Sequence, residues 1–326
     1  MTGVGIVTDS SCDLPDDLVD KWAIEVVPLS IRFGDEELTD REQLTTAEFW
    51  ARCAHSADLP STAAPSPGRF EESYRRLAER GATGIVVVTI SGALSATMQS
   101  AELAARTVAA DGLDVRVVDS RTVTLGLGTI VLSCAEAAAA GHDVDAVVAL
   151  ADDLVARTRV FGALDTLDNL RKGGRIGNAK ALLATALSIK PIIEVAGGVV
   201  EEHGKQRTRS KALTFLVDKV ASYRGRIEHL AVLHADCSDV DAFVERLQPL
   251  TDGEIVVGQI GPVIGAHAGR GTIGVAFQER ISLTAARTAG GPPGERPLAA
   301  LLRWQAGNQI NGRSVSEMRS PPAGPA

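Results

Sequence analysis

Aromatic residues are scarce: 3 Trp, 2 Tyr and 7 Phe make up 4% of the 326 residues. Single-stranded nucleic acids are usually held by stacking bases on aromatic rings, so this composition argues against such a platform. Positive charge is also short. There are 33 Lys and Arg against 41 Asp and Glu, a formal charge of −8, and a chain this acidic is a poor general binder of polyphosphate. The cysteines Cys12, Cys53, Cys134 and Cys237 are dispersed, with no C-x-x-C, which excludes a zinc ribbon or a thioredoxin-type site. Scattered thiols fit a reducing compartment. No apolar run reaches the roughly 20 residues of a spanning helix. The longest candidate, residues 181–200, is interrupted by Lys190, Pro191 and Glu194. The opening MTGVGIVTDS has no basic segment and too short an apolar one for an export signal. A soluble cytoplasmic protein is the expectation.

Against these gaps stand an apolar fraction of 45% and a mean hydropathy of +0.08, enough for a sizeable core. The length predicts two domains. Val4–Thr8, Glu25–Phe33 (with Pro28 suggesting an edge or bulge), Gly84–Ile90 and Asp114–Val118 read as strands. Helical patterns alternate with them: Leu14–Trp22 with Asp13 as N-cap, Thr46–His55, Gly68–Arg80, Ser95–Ala110, Leu125–Ala140 and Asp143–Arg157. Apolar strands alternating with helices predict a parallel sheet covered on both faces. In the second half, Val160–Leu164 and Lys190–Val195 read as strands, with a hairpin turn at Gly197-Gly198. Helix 210–222, strand 230–234, helix 240–249 and strand 254–259 then predict a two-layer α+β unit. The division expected is 1–158, 159–280 and a disordered Gly/Pro-rich tail over 281–326.

Familiar catalytic signatures are mostly absent. Gly269-Arg270-Gly271-Thr272-Ile273-Gly274 spells G-x-G-x-x-G but leaves no room for the βαβ unit a dinucleotide site needs. Gly198–Lys205 is one residue too long for a P-loop, and Gln206 stands where a hydroxyl would hold magnesium. Ser91, Ser95, Asp9 and His267 could be combined into a serine hydrolase, but no G-x-S-x-G elbow exists. The six histidines show no metal-ligand spacing, so no metal or cofactor is expected.

What does stand out is hydroxyl chemistry after the strands. Thr8-Asp9-Ser10-Ser11, Thr89-Ile90-Ser91-Gly92-Ala93-Leu94-Ser95 and Asp119-Ser120-Arg121-Thr122 share the carboxyl edge of a parallel sheet, where ligands bind. Each residue taken singly is best read as a helix cap. Together with Ser61–Pro67 they suggest an anion cradle of neutral donors, suited to a single carboxylate with an apolar remainder.

Seven ordered segments resemble the motifs of the DegV family of bacterial fatty-acid-binding proteins: VTDSSCDLP (7–15), STAAPSPGRF (61–70), ISGALSATMQSA (90–101), VVDSRTVTLGLG (117–128), LDTLDNLRKGGRIG (164–177), KPIIEVAGGVV (190–200) and GPVIGAHAGRGTIGV (261–275). The resemblance covers residues 3–278. It implies an α/β, DegV-like two-domain fold: an N-terminal three-layer α/β/α domain with a parallel sheet and a smaller C-terminal two-layer α/β domain. It further implies one long-chain fatty acid as ligand, with the carboxylate at Thr62, Ser95 and His267 and the chain in an apolar tunnel. The chain then resembles a carrier and not an enzyme. Its implied partner is a fatty acid kinase related to dihydroxyacetone kinases, which phosphorylates the presented acid for phospholipid synthesis. A Ser/His hydrolase or acyltransferase and a fatty-acid-responsive regulator remain the alternatives. Ala63 and Ala64 stand where the family usually has Ser and Gln, and Gly92, Ala93 and Ala96 also depart from its pattern. Lys205, Arg207, Arg209 and Lys211 alternate along a probable strand and its exit. They are either a solvated face or a basic patch for the kinase or an anionic membrane surface.

Overall fold

In the computed structural model, which describes residues 3–56, 58–184 and 189–280, the chain opens with β1 (Gly3–Asp9), a 3-10 turn (Ser10–Cys12) and α1 (Asp16–Lys21). The short strands β2 (Glu25–Val27), β3 (Ser30–Phe33) and β4 (Glu36–Thr39) come next. Then follow α2 (Thr46–His55), β5 (Ser61–Ala63), α3 (Pro67–Glu79), β6 (Ala82–Thr89), α4 (Thr97–Ala109), β7 (Val115–Asp119), α5 (Thr124–Ala139) and α6 (Val144–Arg157). Four strands make an all-parallel sheet in the order β2-β1-β6-β7. On one face Val7, Ile85 and Val87 pack against Phe70, Tyr74 and Leu77 of α3 and Ala101, Ala104 and Val108 of α4. Helices α5 and α6 cover the other face. Both faces are dry, which is why β6 is apolar at successive positions. The small sheet β4-β3-β5 is antiparallel.

The second half runs β8 (Thr158–Ala163), α7 (Asp168–Lys172), a 3-10 segment (Gly177–Ala184), β9 (Lys190–Ala196), β10 (Val199–Gln206), α8 (Arg209–Ala221), β11 (Ile227–His234), α9 (Val240–Leu247), a 3-10 turn (Gln248–Leu250), β12 (Val256–Gln259), α10 (Pro262–Ala268) and β13 (Ile273–Glu279). Six of these strands form one sheet, β10-β9-β8-β13-β11-β12, antiparallel except for β11 with β12. Alternation along β8 separates its two faces. Phe161 and Ala163 enter a core with Leu213 and Leu216 of α8 and Phe243 of α9, while Val160, Gly162 and Leu164 turn the other way. Helix α5 packs against strands of both large sheets. That explains why 12 of its 16 residues are buried and no polar stripe is present. The fold is α/β, with the chain passing from one large sheet to the other at Arg157–Thr158.

Local chemistry sets several boundaries. At α2 a capping box closes the first turn: the Glu48 amide donates to Thr45 Oγ1 at 3.2 Å and the Thr45 amide to Glu48 Oε2 at 2.9 Å. Other expectations need correction. The stretch Glu25–Phe33 is two strands in two sheets, because Pro28 lacks the N–H to continue a ladder. Asp13 is not an N-cap: α1 starts only after Pro15, and Asp13 is a buried left-handed residue (φ 51°). Strand β13, which contains the end of the G-x-G-x-x-G text, is absent from the expected elements, yet it is an interior strand between β8 and β11. The tail expected over 281–326 lies outside the described residues. Among the described residues no helix is long and apolar enough to cross a membrane.

Candidate functional site

A cavity of about 190 Å³ is walled by Leu29, Ile90, Val160, Ile193, Val195, Leu233 and Val263, with Thr62, Ser95, His267 and Arg175 among its few polar groups. One water needs roughly 10–15 Å³ of such space, so it has room for on the order of fifteen water-sized groups. Its floor is the face of the six-stranded sheet that carries Val160, Gly162 and Leu164. Three different elements deliver the polar groups. Thr62 lies on β5, held by pairing with Ile31 of β3. Ser95 lies in the loop between β6 and α4, its amide donating to the Ser91 carbonyl at 3.1 Å. His267 rides on α10.

Thr62 Oγ1 and His267 Nε2 are 2.9 Å apart. Burial, and then the Arg175 charge, push the imidazole down to about 4, so it is neutral at physiological pH. Its Nδ1 is buried without a hydrogen-bond partner among the described residues. A neutral ring carries one N–H. Placing it on Nε2 leaves a bare lone pair at Nδ1, which costs less than a buried orphan N–H. Nε2–H therefore donates to Thr62 Oγ1, and the Thr62 hydroxyl proton remains to be donated elsewhere. Gly173 makes the ring's seat possible, since a Cβ there would lie 2.3 Å from Nδ1. Ser95 Oγ bonds Thr97 Oγ1 at 2.8 Å. No hydrogen bond joins Ser95 to His267 among the described residues.

Arg175 is the residue that motif reasoning missed. Its Nε donates to the Leu94 carbonyl at 3.2 Å and its Nη1 to the Gly173 carbonyl at 2.7 Å. Three of its five N–H donors have no protein acceptor among the described residues. The cavity's polar groups therefore include a cation beside the neutral hydroxyls. A signal was present in the text, a cation beside two glycines at 173–175, but nothing local tied it to a loop some 80 residues earlier.

The hydroxyl-rich loops resolve chiefly into stitching. Asp9 accepts from the amides of Ser11 (3.0 Å) and Ile90 (2.7 Å), the Leu29 amide donates to Ser10 Oγ (3.1 Å), and Ser91 Oγ donates to the Gly198 carbonyl (2.7 Å). Asp119 accepts from the amides of Gly92 and Arg121. Only Asp9 caps a helical turn, accepting from the Ser11 amide; α4 and α5 start after Ala96 and Val123 with no side-chain cap, so the capping expectation fails for the other residues named. The basic alternation is also broken: β10 ends at Gln206, so Lys205 is on the strand, Arg207 is in the turn and Arg209 opens α8. Arg209 is engaged within the fold, donating to both Asp239 carboxylate oxygens (2.6 and 2.7 Å) and to the Gly271 carbonyl (2.6 Å). None of the three lines the cavity.

A second cleft, about 520 Å³, is lined by Ser10, Asp13, Asp40, Arg41, Thr46 and His234 among others. Burial pushes Asp13 up to about 7 and Asp40 up to about 6. Asp13 Oδ1 accepts from the Gly261 amide at 3.0 Å, tying this cleft to the first turn of α10. No cluster of three or more His, Cys, Asp or Glu able to hold a metal occurs among the described residues.

Comparison with known proteins bears on both the fold and the cavity. The sequence profile of the family described as "Uncharacterised protein, DegV family" matches residues 3–280. A DegV domain-containing protein of Streptomyces coelicolor is 39% identical over 281 residues, covering 85% of this chain and 99% of that one. Among solved structures, a fatty-acid-binding DegV family protein from Thermus thermophilus matches with a TM-score of 0.79 at 34% identity, over 85% of this chain and 100% of that one. A stearic-acid-binding protein from Eubacterium ventriosum matches at 0.79 and 25% identity, over 86% and 99%.

Proposed function

The chain belongs to the DegV family, and on that footing we propose that it binds one long-chain fatty acid. In this reading Thr62, Ser95, His267 and Arg175 receive the carboxylate, and the acyl chain lies among the aliphatic walls of the cavity. The observation that carries the reading is the division of that cavity. Thr62, Ser95, His267 and Arg175 are neighbours of one another, through the Thr62–His267 bond and the Arg175 bonds beside Ser95 and His267, while the rest of the lining, Thr124 and Thr272 apart, is aliphatic or glycine. The fatty acids held by solved relatives support it.

The energetics set what each part must do. Each methylene gains about 0.8 kcal/mol on leaving water, so a 16-carbon chain gains roughly 10 kcal/mol. A bilayer offers nearly the same gain. Selection of the protein over the membrane therefore falls to the head group. A carboxylate buried alone is costly, whereas each hydrogen bond to a charged group contributes about 1.5–3 kcal/mol. The Thr62 hydroxyl, freed by its bond from His267, donates one; Ser95 donates a second; Arg175 supplies the countercharge. His267 orients Thr62 and need not be protonated for this.

A nucleophilic Ser95 is less well supported, because its hydroxyl bonds Thr97 and His267 bonds Thr62. The chain acts as a carrier that presents the acid to a separate fatty acid kinase for acyl phosphate formation. Native mass spectrometry of the purified protein tests the reading. One co-purified fatty acid per chain is expected, with no labelling of Ser95 by activated serine probes. Stoichiometric Ser95 labelling, or protein that stays empty when offered long-chain acids, would overturn it.

A further inference from the structure

Resting on that reading, we propose that Gly162 sets the length of acyl chain the cavity accepts. Gly162 on β8 lies directly opposite Gly274 on β13 and Ile193 on β9, so two positions without side chains sit side by side in the sheet. Only one of the two glycines is required by packing. A Cβ at Gly274 would lie 2.4 Å from the Phe161 carbonyl oxygen and 3.2 Å from the Gly162 Cα, so no side chain fits there.

At Gly162 a Cβ would meet Ile193 Cγ1 and Leu164 Cδ1 at 3.6 Å, ordinary contact distances, and its backbone is not in the left-handed region. The fold would accept an alanine there. Glycine inside a strand weakens it, having no side chain to pack and more freedom to lose on folding. The two side chains that a methyl would touch, Ile193 and Leu164, both line the cavity, as Gly162 itself does. The volume left empty at Gly162 therefore belongs to the ligand. Filling it shortens the space for the chain while stiffening the strand, two effects of opposite sign on binding and on stability.

The test offers an equimolar mixture of saturated C12, C14, C16 and C18 acids to delipidated wild type, Gly162→Ala and Gly162→Val, and reads the bound masses by native mass spectrometry. Gly162→Val is expected to raise the ratio of C12 to C18 bound at least tenfold over wild type, Gly162→Ala by a smaller factor. The melting temperature of unliganded Gly162→Ala is expected at or above that of wild type. Should Gly162→Val not fold, the alanine variant reads the same shift at smaller amplitude. An unchanged length profile in a folded variant overturns the assignment of Gly162 alone. Wild type that takes none of the acids overturns the fatty-acid reading and this inference with it.

Discussion

In the cavity lined by Thr62, Ser95 and His267, burial strips a proton from an imidazole; in the cleft lined by Asp13 and Asp40, burial adds protons to carboxyls. Both environments favour the neutral form, as desolvation always does. The difference lies in the cations. Arg41, in the larger cleft, donates to Asp16 Oδ1 and to the Leu14 carbonyl, with Asp13 and Asp40 nearby, so its charge is offset. Arg175, in the smaller cavity, bonds only neutral carbonyls among the described residues and lies near a histidine that burial keeps neutral. An uncompensated cation against aliphatic walls attracts an anion with an apolar body. Charge balance, rather than size, separates the proposed ligand site from the second cleft.

Removing that cation has the largest expected effect. Arg175→Ala loses a charge-assisted contact worth about 1.5–3 kcal/mol, a fall in fatty-acid affinity of roughly 10- to 150-fold. Asp40→Asn, in the other cleft, leaves affinity within about threefold, the size expected where no ligand contact is lost. Displacement of a fluorescent fatty acid measures both. Equal losses would mean that the two clefts are not electrically distinct.

Within the cavity, Thr62 and Ser95 differ in what else depends on them. Thr62→Val leaves the buried His267 ring with neither nitrogen bonded, so it lowers stability by about 1–3 kcal/mol as well as weakening binding. Ser95→Ala removes a hydroxyl whose neighbour Thr97 sits at a helix start, and is expected to weaken binding about tenfold with a stability change near 0.5 kcal/mol. Thermal melts of the unliganded variants separate the two; matching melting points would show that the Thr62–His267 bond does not stabilise the fold.

This contrast also shows what the sequence could and could not convey. Helix α2 was legible because Thr45 and Glu48 form a local box, and β6 because a strand buried on both faces reads as a continuous apolar run. The Thr62–His267 bond joins residues 205 apart, and no local pattern encodes it. Strands β5 and β13 stayed hidden for different reasons. β5 is three residues long, and β13 opens in a glycine-rich stretch that mimics a loop, although one of these glycines, Gly274 within the strand, is there because its neighbours leave no room for a Cβ. Asp13 looked like a helix cap because it precedes a helix, whereas its partner is an amide 248 residues away.

A further comparison sets the two environments against each other through pH. His267 titrates near 6.5 when unfolded and near 4 when folded. Between those values the unfolded chain binds more protons, so this group's contribution to stability is complete above about 6.5 and is lost as pH falls toward 4. Asp13 has the opposite sign. Its folded value near 7 lies above the unfolded value of 3.8, so its contribution is complete at low pH and is lost as pH rises through 7. Subtracting the wild-type melting curve isolates each group from the other titrating residues. His267→Gln is expected to gain on wild type as pH drops from 6.5 to 4, and Asp13→Asn to gain on it as pH climbs from 4 to 7. Because the Asp13 carboxylate accepts from the Gly261 amide at the start of the helix that carries His267, the double variant checks whether the clefts are independent. Additive differences at every pH mean that each burial acts locally; a double variant that departs from the sum means that α10 couples them.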